Sequence, residues 1–162
     1  MSSLGLYTTI IEVLAKWFPD FKATPRSEFP EVEFHQRGRD LASLMAMRDY
    51  YKDTFFDMTI TKPKLAHQVH ESPNPNEPPP KPGRRGENFV FAQPNPKLPR
   101  AVMFRDSFCA AMMPLLSDHF RRIVYCWQYV FDYELVERER PDVVIQELVE
   151  RVMMEDSLPN NP

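Results

Sequence analysis

Residues Ala101 to Phe108, AVMFRDSF, decide how the chain is read. Val102, Met103 and Phe104 form an apolar run too short for a helix, so they predict a buried strand. The run stops at Arg105, Asp106 and Ser107, and small and apolar residues resume from Cys109 to Met113. Ser107 therefore sits where strand turns into helix. In α/β folds the carboxyl ends of the strands open onto the ligand crevice, and the first N–H groups of a following helix have no partner inside it. Such a corner presents a nucleophilic hydroxyl and offers donors to an oxyanion. Asp and Ser are also ordinary helix caps, so the meaning of the pair depends on its flanks.

Downstream the pattern is regular. Pro114 to Phe120 reads as a helix with proline in its first turn, Ile123 to Trp127 as a strand, and Asp132 to Arg140 as a helix ended by Pro141. Asp142 to Glu147 is a further strand and Leu148 to Met154 a closing helix. Just upstream, Asn88 to Ala92 is a strand and Pro94 to Pro99 a turn. This rhythm predicts an α/β domain, a parallel sheet with covered faces. Right-handed crossovers put the strand exits on one edge, so Ser107, Trp127 with Gln128, and Glu147 with Arg151 are expected to share a rim.

Nearer the start, Leu6, Ile10, Val13, Leu14 and Trp17 form a helical stripe stopped by Pro19. Only five residues precede it, so nothing upstream covers its apolar face, and a domain incomplete on its N-terminal side is expected. Glu28 to Gln36 reads as an exposed strand or irregular edge. Asp40 caps an expected helix from Leu41 to about Tyr51, with Leu41, Leu44, Met45 and Met47 as its buried side, and Phe55 to Ile60 is a short strand. His67 and His70 are three apart, the spacing of one helix face. With no third ligand beside them, a metal site gives way to a polar segment entering a loop. Ser72 to Glu87, SPNPNEPPPKPGRRGE, holds six prolines between Pro73 and Pro82 and almost no apolar side chain. It reads as a loop or spacer, or as an SH3-type ligand flanked by Arg84 and Arg85.

Composition sets the outer bounds. The 162 residues suffice for one domain, 43% hydrophobic and 27% charged, with 20 basic and 23 acidic side chains and a net charge of −3. That balance lacks the basic surplus of a nucleic-acid protein. No uncharged apolar run has the length of a membrane span, and no secretory leader is recognisable, so a chain truly starting at Met1 is expected in the cytoplasm. Cys109 and Cys126 lie in apolar runs and read as buried free thiols. No cofactor is expected.

The segment NPKLPRAVMFRDSFCAAMMPLLSDHFRRIVYCW, followed by FDYELVERERPDVVIQELVERVM, resembles the C-terminal half of the SGNH-hydrolase-like alginate O-acetyltransferase family of bacterial envelope proteins. The resemblance runs from about Asn95 to Met153 and rests on Asp-Ser, Pro-Asp-Val-Val-Ile and Glu-x-x-Glu-Arg. LGLYTTIIEVLAKWFPDF resembles, more loosely, the helix after the family's Asp-x-His-Trp motif. The resemblance implies a three-layer SGNH-type domain spanning 1–162, with Ser107 as the nucleophile that passes an acyl group from a donor to a sugar hydroxyl or to water, and an extracytoplasmic setting for the full-length family.

The family's His and Asp come from Asp-x-His-Trp, which this sequence lacks. Asp118 and His119 are no substitute, because adjacent helix residues point about 100° apart. A chain with the serine and without its base is expected to be nearly inert alone. The family more often has a small residue at Cys109; a thiol there is a second nucleophile only if something activates it. The alternative function is a non-catalytic carbohydrate-binding or structural module. There Trp127 either stacks on a sugar or packs in the core, and Arg105 and Arg151 suit a uronate carboxylate. Glu147 and Arg151, four apart, otherwise form a local ion pair. The donor, the sugar and the oligomeric state stay open.

Overall fold

In a computed structural model, the chain is described at residues 3–29, 33–37, 45–47, 49–50, 52–56, 64–69 and 88–150. The Pro-rich stretch 72–87, His70 and Arg151 lie outside them, as does most of the expected helix Leu148 to Met154. Two compact units form, one from Met1–Lys22 with Lys64–Pro162, the other from Ala23–Pro63.

In the smaller unit, β1 (Glu33–Arg37) pairs antiparallel with β2 (Lys52–Phe56). The sequence places that second strand later, at Phe55 to Ile60; its pairing register with β1 starts it at Lys52. The helix expected to run to Tyr51 does not hold together at Met45. Met45 is 65% exposed and lies in a turn, because Ala46 takes a left-handed φ of 55° that a right-handed helix excludes.

The larger unit is built on a five-stranded sheet in the order β3 (His67–Val69), β4 (Asn88–Ala92), β6 (Arg122–Cys126), β5 (Arg100–Phe104) and β7 (Val143–Gln146). β5 runs parallel to both β6 and β7, whereas β4 runs antiparallel to both of its neighbours, β6 and β3. The sheet is therefore mixed. Residues 93–99 between β4 and β5 are too few for a parallel crossover, which needs a dozen or more. His67 sits on strand β3 and not on a helix, and His70 lies outside the described residues.

Side chains alternate across β5 and β6. Val102, Phe104, Val124 and Cys126 pack with Val90 and with Leu135 of α3 (Tyr133–Glu139) on one face. On the other, Met103 meets Cys109, and the Tyr125 hydroxyl reaches Ser117 at 2.9 Å and the Met113 carbonyl at 3.2 Å. That face is covered by α1 (Ser3–Leu14) and the short α2 (Met113–Leu116), so helices lie on both sides of the sheet. The expected helix Pro114 to Phe120 is thus one α-turn followed by a 3₁₀ turn at Ser117–His119.

Candidate functional site

The parallel strands place their exits together. Arg105 N–H donates to the Cys126 carbonyl and Glu147 N–H to the Phe104 carbonyl, both at 2.9 Å, so the ladder continues one residue past each strand. The chain then turns at Asp106 into a 3₁₀ helix, Ser107–Ala111. Asp106 has an extended backbone, and its side chain caps the turn by accepting from Phe108 N–H at 2.7 Å. Its second carboxylate oxygen accepts from Val149 N–H at 2.7 Å. In return, Asp106 N–H donates to the Glu147 carboxylate at 3.3 Å. Two carboxylates thus tie the exits of β5 and β7 together, with Ser107 on the exposed side of the join.

This geometry alters one expectation for the corner and agrees with another. Phe108 N–H, one of the donors expected to face an oxyanion, is occupied by Asp106. Cys109 is fully buried with its Sγ 3.7 Å from Met103 Sδ, and burial drives its thiol far up, so it supplies no thiolate. Cys126 is likewise a free buried thiol, pushed up to about 12 mainly by desolvation.

Arg105 has none of its surface exposed. Its guanidinium carbon lies 4.7 Å from the ring centre of Trp127 and 5.7 Å from that of Phe89. Nη1 donates to the Asp106 carbonyl at 3.1 Å, while Nε, Nη2 and the Trp127 indole nitrogen, also buried, have no acceptor among the described residues. Trp127 is half-buried and stacks on Arg105. Glu147, 8% exposed, has its carboxyl pushed up to about 7, first by burial and then by the charge of Asp106. Of the rim residues read from the sequence, Ser107, Arg105, Trp127 and Glu147 are placed at this edge. Phe89 escapes a sequence reading because only the antiparallel register of β4, with Phe89 opposite Tyr125, carries it there.

His119 serves elsewhere. His119 Nε2 lies 2.9 Å from the Tyr7 hydroxyl, and burial lowers its pKa to about 4. It precedes β6, whereas Ser107 follows β5. The two strands are parallel, so a strand length of roughly 16 Å separates the ends they occupy. Asp118 accepts from Leu65 and Ala66 N–H groups at 3.0 and 2.8 Å and so fastens the approach to β3. Among the described residues no three His, Cys, Asp or Glu side chains are grouped to hold a metal, and no helix is long and apolar enough to cross a membrane.

No protein-family model and no curated protein matches the chain. Its fold is that of three solved structures. A DHHW family protein from Eubacterium siraeum superposes with a TM-score of 0.59 at 13% identity, over 90% of this chain and 55% of that one. Bacillus cereus PatB1 gives 0.59 at 11%, over 90% and 57%, and PatB1 with a sulfonyl adduct gives 0.60 at 12%, over 90% and 55%. The chain therefore spans little more than half the length of the structures it matches. The α/β class holds, and at these identities the likeness is one of fold.

Proposed function

We propose that this chain carries the acyl-accepting serine, Ser107, of an SGNH-type O-acyltransferase or esterase acting on a sugar hydroxyl in an extracytoplasmic setting. The observation that carries the reading is the exposed Ser107 on a 3₁₀ turn at the carboxyl edge of a parallel strand pair, fixed there by the Asp106, Glu147 and Val149 bonds. The fold shared with PatB1 supports it, since a sulfonyl adduct of the kind named for that protein is what a nucleophile forms with a sulfonyl electrophile.

A serine hydroxyl needs a base to attack an acyl carbon. Among the described residues no imidazole reaches Ser107: His119 is held by Tyr7 beyond the far end of the sheet. Acylation of the isolated chain is therefore slow, by roughly 10³-fold or more against a complete triad, but selective. Incubation with p-nitrophenyl acetate followed by peptide mass mapping is expected to find acetyl on Ser107 and none there in Ser107→Ala. Acetylation no greater at Ser107 than at other exposed serines overturns the assignment. Rapid stoichiometric labelling by a fluorophosphonate overturns the missing base.

The non-catalytic carbohydrate module is favoured by the lack of an imidazole at Ser107 among the described residues. Glycan binding that survives Ser107→Ala and fails in Trp127→Ala decides for it.

A further inference from the structure

We infer that the Arg105 guanidinium and the Trp127 indole N–H form a receptor for a monoanionic carboxylate at the carboxyl rim of the sheet. Buried donors in folded proteins are almost always satisfied. Here Arg105 Nε and Nη2 and Trp127 Nε1 are all buried, all without an acceptor among the described residues, and the two side chains are joined by one stacking contact. Nε and Nη2 are also not an arbitrary pair. They lie along one edge of the guanidinium with their N–H bonds parallel, the edge that grips a carboxylate through two bonds at once. The third nitrogen, Nη1, is already held by the Asp106 carbonyl. The Trp127 and Phe89 rings lie against the group, their centres 4.7 and 5.7 Å from its central carbon.

Among the described residues none supplies the missing acceptor. The described carboxylates nearest in sequence and fold, Asp106 and Glu147, are engaged with the N–H groups of Phe108, Val149 and Asp106. Charge instead selects among ligands. The charge of Asp106, which adds to burial in holding the neighbouring Glu147 proton on, opposes a second negative charge, so a planar monoanion is favoured over a phosphate dianion. Because Arg105 has no exposed surface, entry requires the half-buried Trp127 side chain to move. Ligand binding should therefore be visible in Trp127 itself. The inference does not depend on Ser107 being a nucleophile, and Ser107 acetylation and carboxylate binding fail independently.

The carboxylate belongs either to a small free acid, such as the acetate an acyl-enzyme would release, or to a sugar acid. Trp17→Phe leaves Trp127 as the chain's one indole, and its emission is titrated with sodium acetate and sodium glucuronate at constant ionic strength. Sodium chloride, glucose and phosphate serve as controls. A saturable change with acetate, glucuronate or both, at least tenfold weaker in Arg105→Lys, is the expected result. Lysine keeps the charge and loses the fork. The stronger of the two ligands assigns the source.

Trp127→Phe retains an aromatic ring over the guanidinium and removes one donor, and is expected to weaken binding roughly fivefold in a ligand-dependent thermal shift. That variant carries the test if Arg105→Lys does not fold. No saturable response, an equal response to chloride, tighter binding of phosphate, or binding unchanged in the variants overturns the inference.

Discussion

Asp106 does more for this protein than its place beside a serine suggests. Its two oxygens hold Phe108 and Val149 N–H groups and its own N–H meets Glu147, so one side chain closes the turn and ties it to the exit of β7. Asp106→Ala leaves two partly buried donors without an acceptor, a loss of about 2–4 kcal/mol. Asp106→Asn keeps one acceptor oxygen and should lose about half as much. Chemical denaturation of the three proteins checks the order, and equal stability of wild type and Asp106→Ala refutes it.

Glu147 makes the same join depend on pH. Its folded pKa, raised by burial to about 7, lies above the ordinary carboxylate value, so the native state holds the proton more tightly than the unfolded chain. The resulting stabilisation is complete below the unfolded pKa and is lost as pH rises through about 7, a change on the order of 2–3 kcal/mol. Glu147→Gln should flatten that part of the profile. Thermal melts at steps between pH 5 and pH 8 measure it, and parallel profiles for both proteins would count against the shift.

At the scale of elements, α3 shows how closely local sequence and tertiary bonds agree. Asp132 caps its start by accepting from Leu135 N–H at 2.9 Å. At its other end Glu139 binds Arg122 at 2.8 Å and Arg100 at 3.1 Å, fastening the helix to the amino ends of β6 and β5. The Arg122 hydrogen bond is the main reason its carboxyl lies below the ordinary value. The helix stops at Arg140, which takes a left-handed φ of 45° while its N–H still reaches the Val136 carbonyl. A side chain at that conformation is strained where glycine is not. Arg140→Gly is therefore expected to gain about 0.5–1 kcal/mol in equilibrium unfolding, and a loss of stability would show that the arginine side chain outweighs its backbone cost.

The element pattern also explains what could be read in advance. β5, β6, β7 and α3 were legible because short apolar runs, an Asp cap and Pro141 mark their ends, and the serine turn followed from where the β5 run breaks off. Strand direction was not, since alternation of side chains is the same in parallel and antiparallel ladders, and β4 runs against the other four strands. Met45 has the spacing of a helix and lost it to one backbone angle at Ala46. Arg105 reads in the sequence as a rim residue suited to a uronate carboxylate, because charged residues seldom lie fully buried; the rings of Phe89 on β4 and of Trp127, one residue past β6, lie against it in the fold.

Across the larger unit as a whole, the sheet is finished unequally at its two sides. β7 is an outermost strand, and among the described residues no strand pairs with its outer edge. Beside it, Ile10, Val13 and Trp17 of α1 and the following turn line an apolar groove of about 660 Å³ together with Val143, Val144 and Ile145. Trp17 is 66% exposed, Val13 42% and Val144 38%, so part of the stripe that predicted α1 remains uncovered. Natural edge strands usually carry a lysine, a proline or a bulge that discourages pairing with another chain. β7, with the sequence VVIQ, carries no charge and no proline. Strand pairing between molecules then meets little opposition, and exposed Trp17 and Val13 add apolar area to the contact. Val144→Lys places a charge on the exposed part of that edge. It is expected to reduce concentration-dependent light scattering severalfold, while moving the unfolding free energy by less than about 1 kcal/mol because the side chain is already partly in water. Scattering that rises with concentration as steeply in the variant as in wild type would move the cause away from the β7 edge.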